Sequence, residues 1–261
     1  MSNNAKDVPP GETQGLRSKT DLDHWDRLES IVAREGHSLR HVLSLWPTYV
    51  RRQHLTRFLA HYELYKLVAD LPGCIVEIGV YRGASFFTWH KLCETFNATD
   101  RRKKVFGFDH FRGLSDFDVK DGPHDPKDGK VPGGFDSVPV REEVVELVRL
   151  HNDDNLIPGV ERSRLVEGDI QETIPKFLSE NSGLRICLLH LDADLYQPTM
   201  TALQLLYPLV VRGGLVVLDE YGLIPWEGES KAAEEYFESI GERPTLRKFP
   251  WSGQPQGYFV K

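Results

Sequence analysis

The sequence predicts an α/β fold: one mostly parallel sheet with helices on both faces, preceded by a helical extension. Three observations point there. Short apolar runs begin at Cys74, Lys104, Leu165, Ile186 and Gly213, and stretches with helical periodicity separate them. A loop carrying Gly79 and Gly83 joins the first run to a helix, as at ligand-binding helix N-termini. Several runs also end on carboxylates, and Asp219 follows Asp192 by 27 residues, which fits one β–α–β unit. Ligands of open α/β sheets bind outside the carboxyl ends of the strands.

The totals narrow the class. The 261 residues allow one large domain, or a domain with an extension, and 40% hydrophobic content can bury a substantial core. A net charge of -7 and a pI near 5.8 argue against a nucleic-acid binder, which usually shows a basic face. No apolar run approaches the roughly 20 residues of a membrane span. The first residues lack the basic-then-apolar pattern of a signal peptide. Cys74, Cys93 and Cys187 are far apart and lack zinc spacing, so they read as reduced core thiols of a cytoplasmic protein.

Taken in order, residues 1–20 are polar and rich in Pro, Gly and Asn, the composition of a flexible arm. Residues 21–70 change character. Trp25, Leu28, Ile31 and Val32 fall at helical spacing, as do Leu39, Val42, Leu43 and Trp46, and again Leu55, Phe58, Leu59 and Tyr62. Two or three helices follow, either capping the sheet or walling a substrate pocket with Tyr49, Arg51, Arg52 and His54. Residues 71–261 form the main domain. Its first strand leads through Glu77, Gly79 and Gly83 into a helix over 85–96, with Ser85 as N-cap. The spacing is E-x-G-x-x-x-G, not that of a dinucleotide loop. Glu77 would repel a pyrophosphate and suits an amine or ribose hydroxyls.

The second strand ends at Asp109, where an acid often holds a ribose diol; it could equally be a turn residue. Residues 110–138 hold five Gly, three Pro and six Asp, and an irregular segment of that length reads as a lid rather than a disordered insertion. Asp169, ending the third strand, could accept a bond from a nucleobase amine or cap the next helix. In the fourth run His190, Asp192 and Asp194 alternate, so an extended strand would point all three to one side. Like charges held together need a cation, a donor or solvent. Asp219 and Glu220 should converge on them from the next strand. A final hairpin is expected from strands at 245–249 and 257–260.

The segments EIGVYRGAS, FGFDHFRGL, EGDIQETIP, LHLDADLYQPT and GGLVVLDEYG, in this order, resemble the macrocin O-methyltransferase (TylF-type) family from about Arg57 onward. The resemblance implies the class I methyltransferase fold, a Rossmann-like seven-stranded sheet. It implies methyl transfer from S-adenosylmethionine to a sugar hydroxyl, usually with Mg²⁺, in antibiotic and related glycoside biosynthesis. It places the cofactor on Glu77, Gly79, Gly83, Ser85, Asp109, His110, Asp169, Ile170 and Asp192. It places the metal on Asp192, Asp219 and Glu220, and the general base on Asp194. Glu220 and His110 stand where many members have Asp and Ser. The expected partner is a small sugar or glycoside acceptor, and a homo-oligomer is expected. Two other readings share these motifs: a metal-dependent phenol or catechol methyltransferase, and an inactive binding module. A nicotinamide dehydrogenase lacks its glycine spacing.

Overall fold

The computed structural model describes residues 18–115 and 117–261, so most of the expected N-terminal arm lies outside the described residues. Four helices lead: α1 (Ser18–Arg34), α2 (Leu39–Ser44), α3 (Trp46–Tyr49) and α4 (Arg52–Val68). They divide by burial. Neither α2 nor α3 buries a residue, whereas α4 sinks Ala60, Leu64, Tyr65 and Val68 into the core. Structurally α4 is thus part of the main body. Tyr49, Arg51, Arg52 and His54 do not line the main cleft; Trp25 receives the Arg51 guanidinium at 5.5 Å and the His54 ring at 5.9 Å.

The main body alternates strand and helix: β1 (Cys74–Ile78), α5 (Ala84–Asn97), β2 (Val105–Asp109), α6 (Arg141–Asp153), β3 (Ser163–Glu167) and α7 (Ile170–Glu180). It continues with β4 (Ile186–Leu191), α8 (Tyr196–Leu206), β5 (Val210–Leu218), α9 (Glu227–Ser239) and β6 (Gly257–Val260). The strand order is β3-β2-β1-β4-β5-β6, and all pairs are parallel except β5 with β6. This is the doubly wound α/β class expected, with six strands among the described residues instead of seven. The 245–249 segment contributes one bridge, between Arg247 and Tyr258. Pro244 and Pro250 flank it and cannot donate to a ladder, which keeps it from lengthening.

Each strand feeds two cores by its two-residue period. Val76, Ile78, Phe106, Phe108, Leu189, Leu191, Val216 and Leu218 face α7, α8 and α9. Ile75, Val105, Leu188, Leu215 and Val217 face α4 and α5. On that second face, at the carboxyl ends, the apolar rows give way to Glu77, His190 and Asp219. No helix among the described residues is long and apolar enough to cross a membrane, and the three cysteines are free thiols.

Candidate active site

The strand ends open into a cleft of about 820 Å³, including its mouth. Gly79, Asp109, His110, Asp169, Ile170, Asp192 and Asp194 all line it, with Tyr81, Leu114 and Phe135. Local rules account for the glycine loop. Gly79 has φ +89, and a Cβ there would lie 1.8 Å from the Asp192 carbonyl oxygen. That close approach seats the Asp192 backbone against β1, where its N–H donates to the Ile78 carbonyl at 2.9 Å. Asp109 organises the loop. Its Oδ2 accepts from the Val80 and Tyr81 N–H groups at 2.8 and 2.7 Å, and its Oδ1 from the Phe111 N–H at 2.6 Å. Asp169 caps α7, accepting from the Gln171 N–H at 2.8 Å, while still lining the cleft. His110 Nδ1 accepts from the Arg112 N–H at 3.0 Å.

Three expected cofactor residues do not line the cleft. Gly83, not Ser85, is the N-cap of α5 (φ +84), and a Cβ on it would meet the Phe87 ring at 2.6 Å. Ser85 lies buried in the first turn, where its Oγ accepts from Arg57 at 3.2 Å. Glu77 is 1% exposed and turned to the α4–α5 side, where its Oε2 meets His190 Nδ1 at 3.2 Å.

The β4 end also departs from the extended-strand expectation. The strand stops at Leu191, and Asp194 adopts a left-handed conformation with φ +62. The turn still gathers the acids. One oxygen each of Asp192, Asp194 and Glu220 lie within 4.8 Å of one another, and the same holds for ligand atoms of His190, Asp192 and Asp219. Asp192 belongs to both groups, so the expected trio of Asp192, Asp219 and Glu220 is split between two overlapping sets. Beneath them His190 bridges neighbouring strands, with Nε2 3.3 Å from Asp219 Oδ1. Burial opposes its charge, but the hydrogen bonds to Asp219 and Glu77 outweigh that and raise it to about 10. Both ring nitrogens of His190 are thus engaged by carboxylates, Nδ1 by Glu77 and Nε2 by Asp219.

Two residues that periodicity did not single out complete the site. Arg57 of α4 reaches Asp192 Oδ2 at 2.9 Å and Asp219 Oδ2 at 3.1 Å. Glu229, in the first turn of α9, accepts the Glu220 N–H at 2.9 Å and is fully buried. In sequence Arg57 belongs to a helix of mixed polarity and Glu229 to an acidic first turn; neither carries a local mark. Glu77, Asp219, Glu220 and Glu229 are each at most 2% exposed. With Asp192 and Asp194 they make six carboxylates around two contacting cations, Arg57 and His190. Burial, followed by Asp219, pushes Asp192 up to about 7, and burial with neighbouring acids raises Asp194, Glu220 and Glu229 well above their usual range. Burial would raise Asp219 too, yet Arg57 and His190 hold it well below.

Comparison with known proteins identifies the family and the fold. The family model for macrocin O-methyltransferase (TylF) matches residues 31–249. A demethyldecarbamoylnovobiocin O-methyltransferase of Streptomyces niveus is 29% identical over 60% of this chain and 55% of its own length. The tetracenomycin rhamnosyl 4'-O-methyltransferase of Streptomyces olivaceus is 28% identical over 62% and 58%. The match thus spans a little over half the length of these curated relatives. Among solved structures, the calicheamicin methyltransferase CalS11 superposes with a TM-score of 0.82 at 29% identity, over 97% of this chain and 99% of that one. An apo structure of CalS11, described as a TDP-rhamnose 3'-O-methyltransferase, gives 0.73 at 29% identity over 95% and 99%. NovP, at 24% identity and a TM-score of 0.61 over 79% and 80%, shares the fold.

Proposed function

Because this chain belongs to the macrocin O-methyltransferase family, we propose that it transfers a methyl group from S-adenosylmethionine to a sugar hydroxyl of a natural-product glycoside or nucleotide sugar. The observation that carries this reading is one continuous cleft. It runs from Asp109 and Asp169 at the ends of β2 and β3 to Asp192 and Asp194 beyond β4. One end suits a nucleoside, with a loop of backbone amides and two acids. The other end carries Asp192 and Asp194, carboxylates that suit an acceptor hydroxyl. Two similar proteins are described as methyltransferases of a rhamnosyl tetracenomycin and of TDP-rhamnose, so an acceptor built on a deoxysugar is the first to try.

The sulfonium methyl is already electrophilic, so the protein's task is to align the acceptor oxygen and take its proton. Asp194, at the cleft floor, is the proposed base, a role worth typically about 10²–10⁴-fold in rate. The residues also fit a divalent cation. Hard cations take oxygen ligands; the buried Glu220 Oε2 has no hydrogen-bond partner, and Asp219 Oδ2 has only its ion pair with Arg57 at 3.1 Å. Burial and mutual repulsion raise Asp192, Asp194, Glu220 and Glu229, and a bound cation would relieve that repulsion. Asp192, Asp219 and Glu220 would hold Mg²⁺, which when bound would acidify and orient the acceptor hydroxyl. Exposed Leu39 and Leu43 on α2 favour a homo-oligomer, and the free thiols suit a reducing compartment such as the cytoplasm.

The test is methyl transfer to TDP-rhamnose and to rhamnosylated and phenolic acceptors, with S-adenosylhomocysteine binding followed by calorimetry. Asp194→Asn should keep cofactor affinity and Mn²⁺ binding and lose at least about 10²-fold in turnover. Wild-type turnover in that variant would remove Asp194 from the base role. Full activity in EDTA would remove the metal, methylation of phenols alone would change the acceptor class, and failure to bind S-adenosylhomocysteine would leave a binding module.

A further inference from the structure

Arg57 raises a question that the methyltransferase reading leaves open. A guanidinium stands where a metal would draw on the same oxygens. Its Nη2 donates to Asp192 Oδ2 at 2.9 Å, lies 3.1 Å from Asp219 Oδ2 and donates to Ser85 Oγ at 3.2 Å. Its Nη1 donates to Gln254 Oε1 at 2.6 Å. One nitrogen therefore spans the acids beyond β4 and β5. Resting on the metal reading above, we propose that Arg57 is a built-in cation that holds this cradle until a divalent ion displaces it, so that metal binding is a competition with Arg57.

Three features carry the argument. First, the charges oppose joint occupancy. A Mg²⁺ bound near 2.0–2.1 Å from these carboxylates would share their lone pairs with a guanidinium nitrogen about 3 Å away, and the two cations repel. Second, the exchange has a path. The Arg57 side chain keeps 29% of its surface exposed, so it can swing outward on its flexible stem while Leu64, Tyr65 and Val68 anchor α4 in the core. Third, the arginine is linked to the second acid group. Gln254 accepts from Arg57 through Oε1 and donates from Nε2 to Glu220 Oε1 at 2.8 Å. Withdrawal of Arg57 releases the amide that occupies Glu220, so Asp192, Asp219 and Glu220 become available together. Arg57 is therefore a positioning residue: it satisfies the buried acids of the empty cradle and sets how readily the ion enters.

The experiment measures Mn²⁺ binding by electron paramagnetic resonance, and melting temperature with EDTA or Mg²⁺, on the full chain. Apparent metal affinity falls by the fraction of cradle left open, so Arg57→Gln should bind Mn²⁺ at least about tenfold more tightly than wild type. The same variant should melt lower in EDTA and recover in Mg²⁺. In Arg57→Ala, added methylguanidinium should refill the cradle, raising the melting temperature in EDTA and weakening Mn²⁺ binding; wild type should not respond. Unchanged or weaker Mn²⁺ affinity in the folded variants overturns the inference. If Arg57→Gln and Arg57→Ala fail to fold, Arg57→Lys, which keeps the charge but loses the fork, should bind Mn²⁺ more tightly than wild type, and an equal affinity overturns the inference. If no variant and not the wild type binds Mn²⁺ while all bind S-adenosylhomocysteine, the metal reading fails instead.

Discussion

Asp109 shows how one side chain can serve both fold and ligand. Three backbone N–H groups converge on its carboxylate and tie the glycine loop to the end of β2. Asp109→Asn puts an amide donor against donors, and hydrogen bonds to a charged acceptor are each worth about 1.5–3 kcal/mol. Calorimetry should show S-adenosylhomocysteine affinity reduced at least about tenfold, roughly one such bond; an unchanged affinity would confine Asp109 to a turn role. His190 gives a pH signature. Its value rises from 6.5 to about 10 on folding. The stability it contributes is complete below pH 6.5 and disappears as pH climbs through about 10. Melting temperature should therefore fall across that interval in wild type, and His190→Gln should flatten the decline. These residues also show what a sequence displays. Asp109, Asp192 and Asp219 were legible because each follows an apolar run. Arg57 was not, because its partners are 135 residues away in Asp192 and 197 in Gln254, and no local pattern records such contacts.

At the scale of elements, the segment between β2 and α6 is more fixed than its Gly, Pro and Asp content suggests. Lys130 is fully buried there. Its ammonium reaches Glu227 at 3.0 Å and donates to the carbonyls of Asp121 and Pro225. Asp121 in turn accepts the Tyr196 N–H at 2.7 Å, fastening the segment to the first turn of α8. His110, Leu114 and Phe135 of the same segment line the cleft. Lys130→Ala leaves the Glu227 carboxylate and two carbonyls without their donor, at about 1–3 kcal/mol. Limited proteolysis should then cut within 110–138 faster than in wild type, and S-adenosylhomocysteine should bind more weakly. Equal cleavage rates would show that the lysine does not hold the segment. Composition marked this stretch as irregular and placed it over the site, but the order came from a lysine whose partners lie near α9. The helix after the glycine loop fared better: α5 spans Ala84–Asn97 against the expected 85–96, since apolar periodicity is a local signal. The 245–249 strand was misjudged because alternation alone cannot tell a ladder from a single bridge.

For the whole molecule, charge is the quantity that the fold leaves unbalanced. Four essentially buried acids and two more beside them face one arginine and one histidine. An ion that binds only the native state stabilises it by about 2.7 kcal/mol at a hundredfold excess over its Kd. For a chain of this size that is roughly 5–10 °C. Mg²⁺ should deliver such a rise, and a flat calorimetric titration would show the acids settling their charge by protonation.

The strand order carries one more consequence, which concerns manufacture rather than catalysis. β1 is made first but lies in the middle, between β2 and β4. Its flank toward β4 carries the open backbone groups of Cys74, Val76 and Ile78, and its partner arrives only after more than a hundred further residues have been translated. At the ribosome's pace of about 5–20 residues per second, that edge waits roughly 5–20 s. During that interval the nascent chain offers a sticky, unpaired ribbon to its neighbours. Yield of soluble protein should therefore respond to slower induction, lower temperature and co-expressed chaperones more than to any change at the cleft.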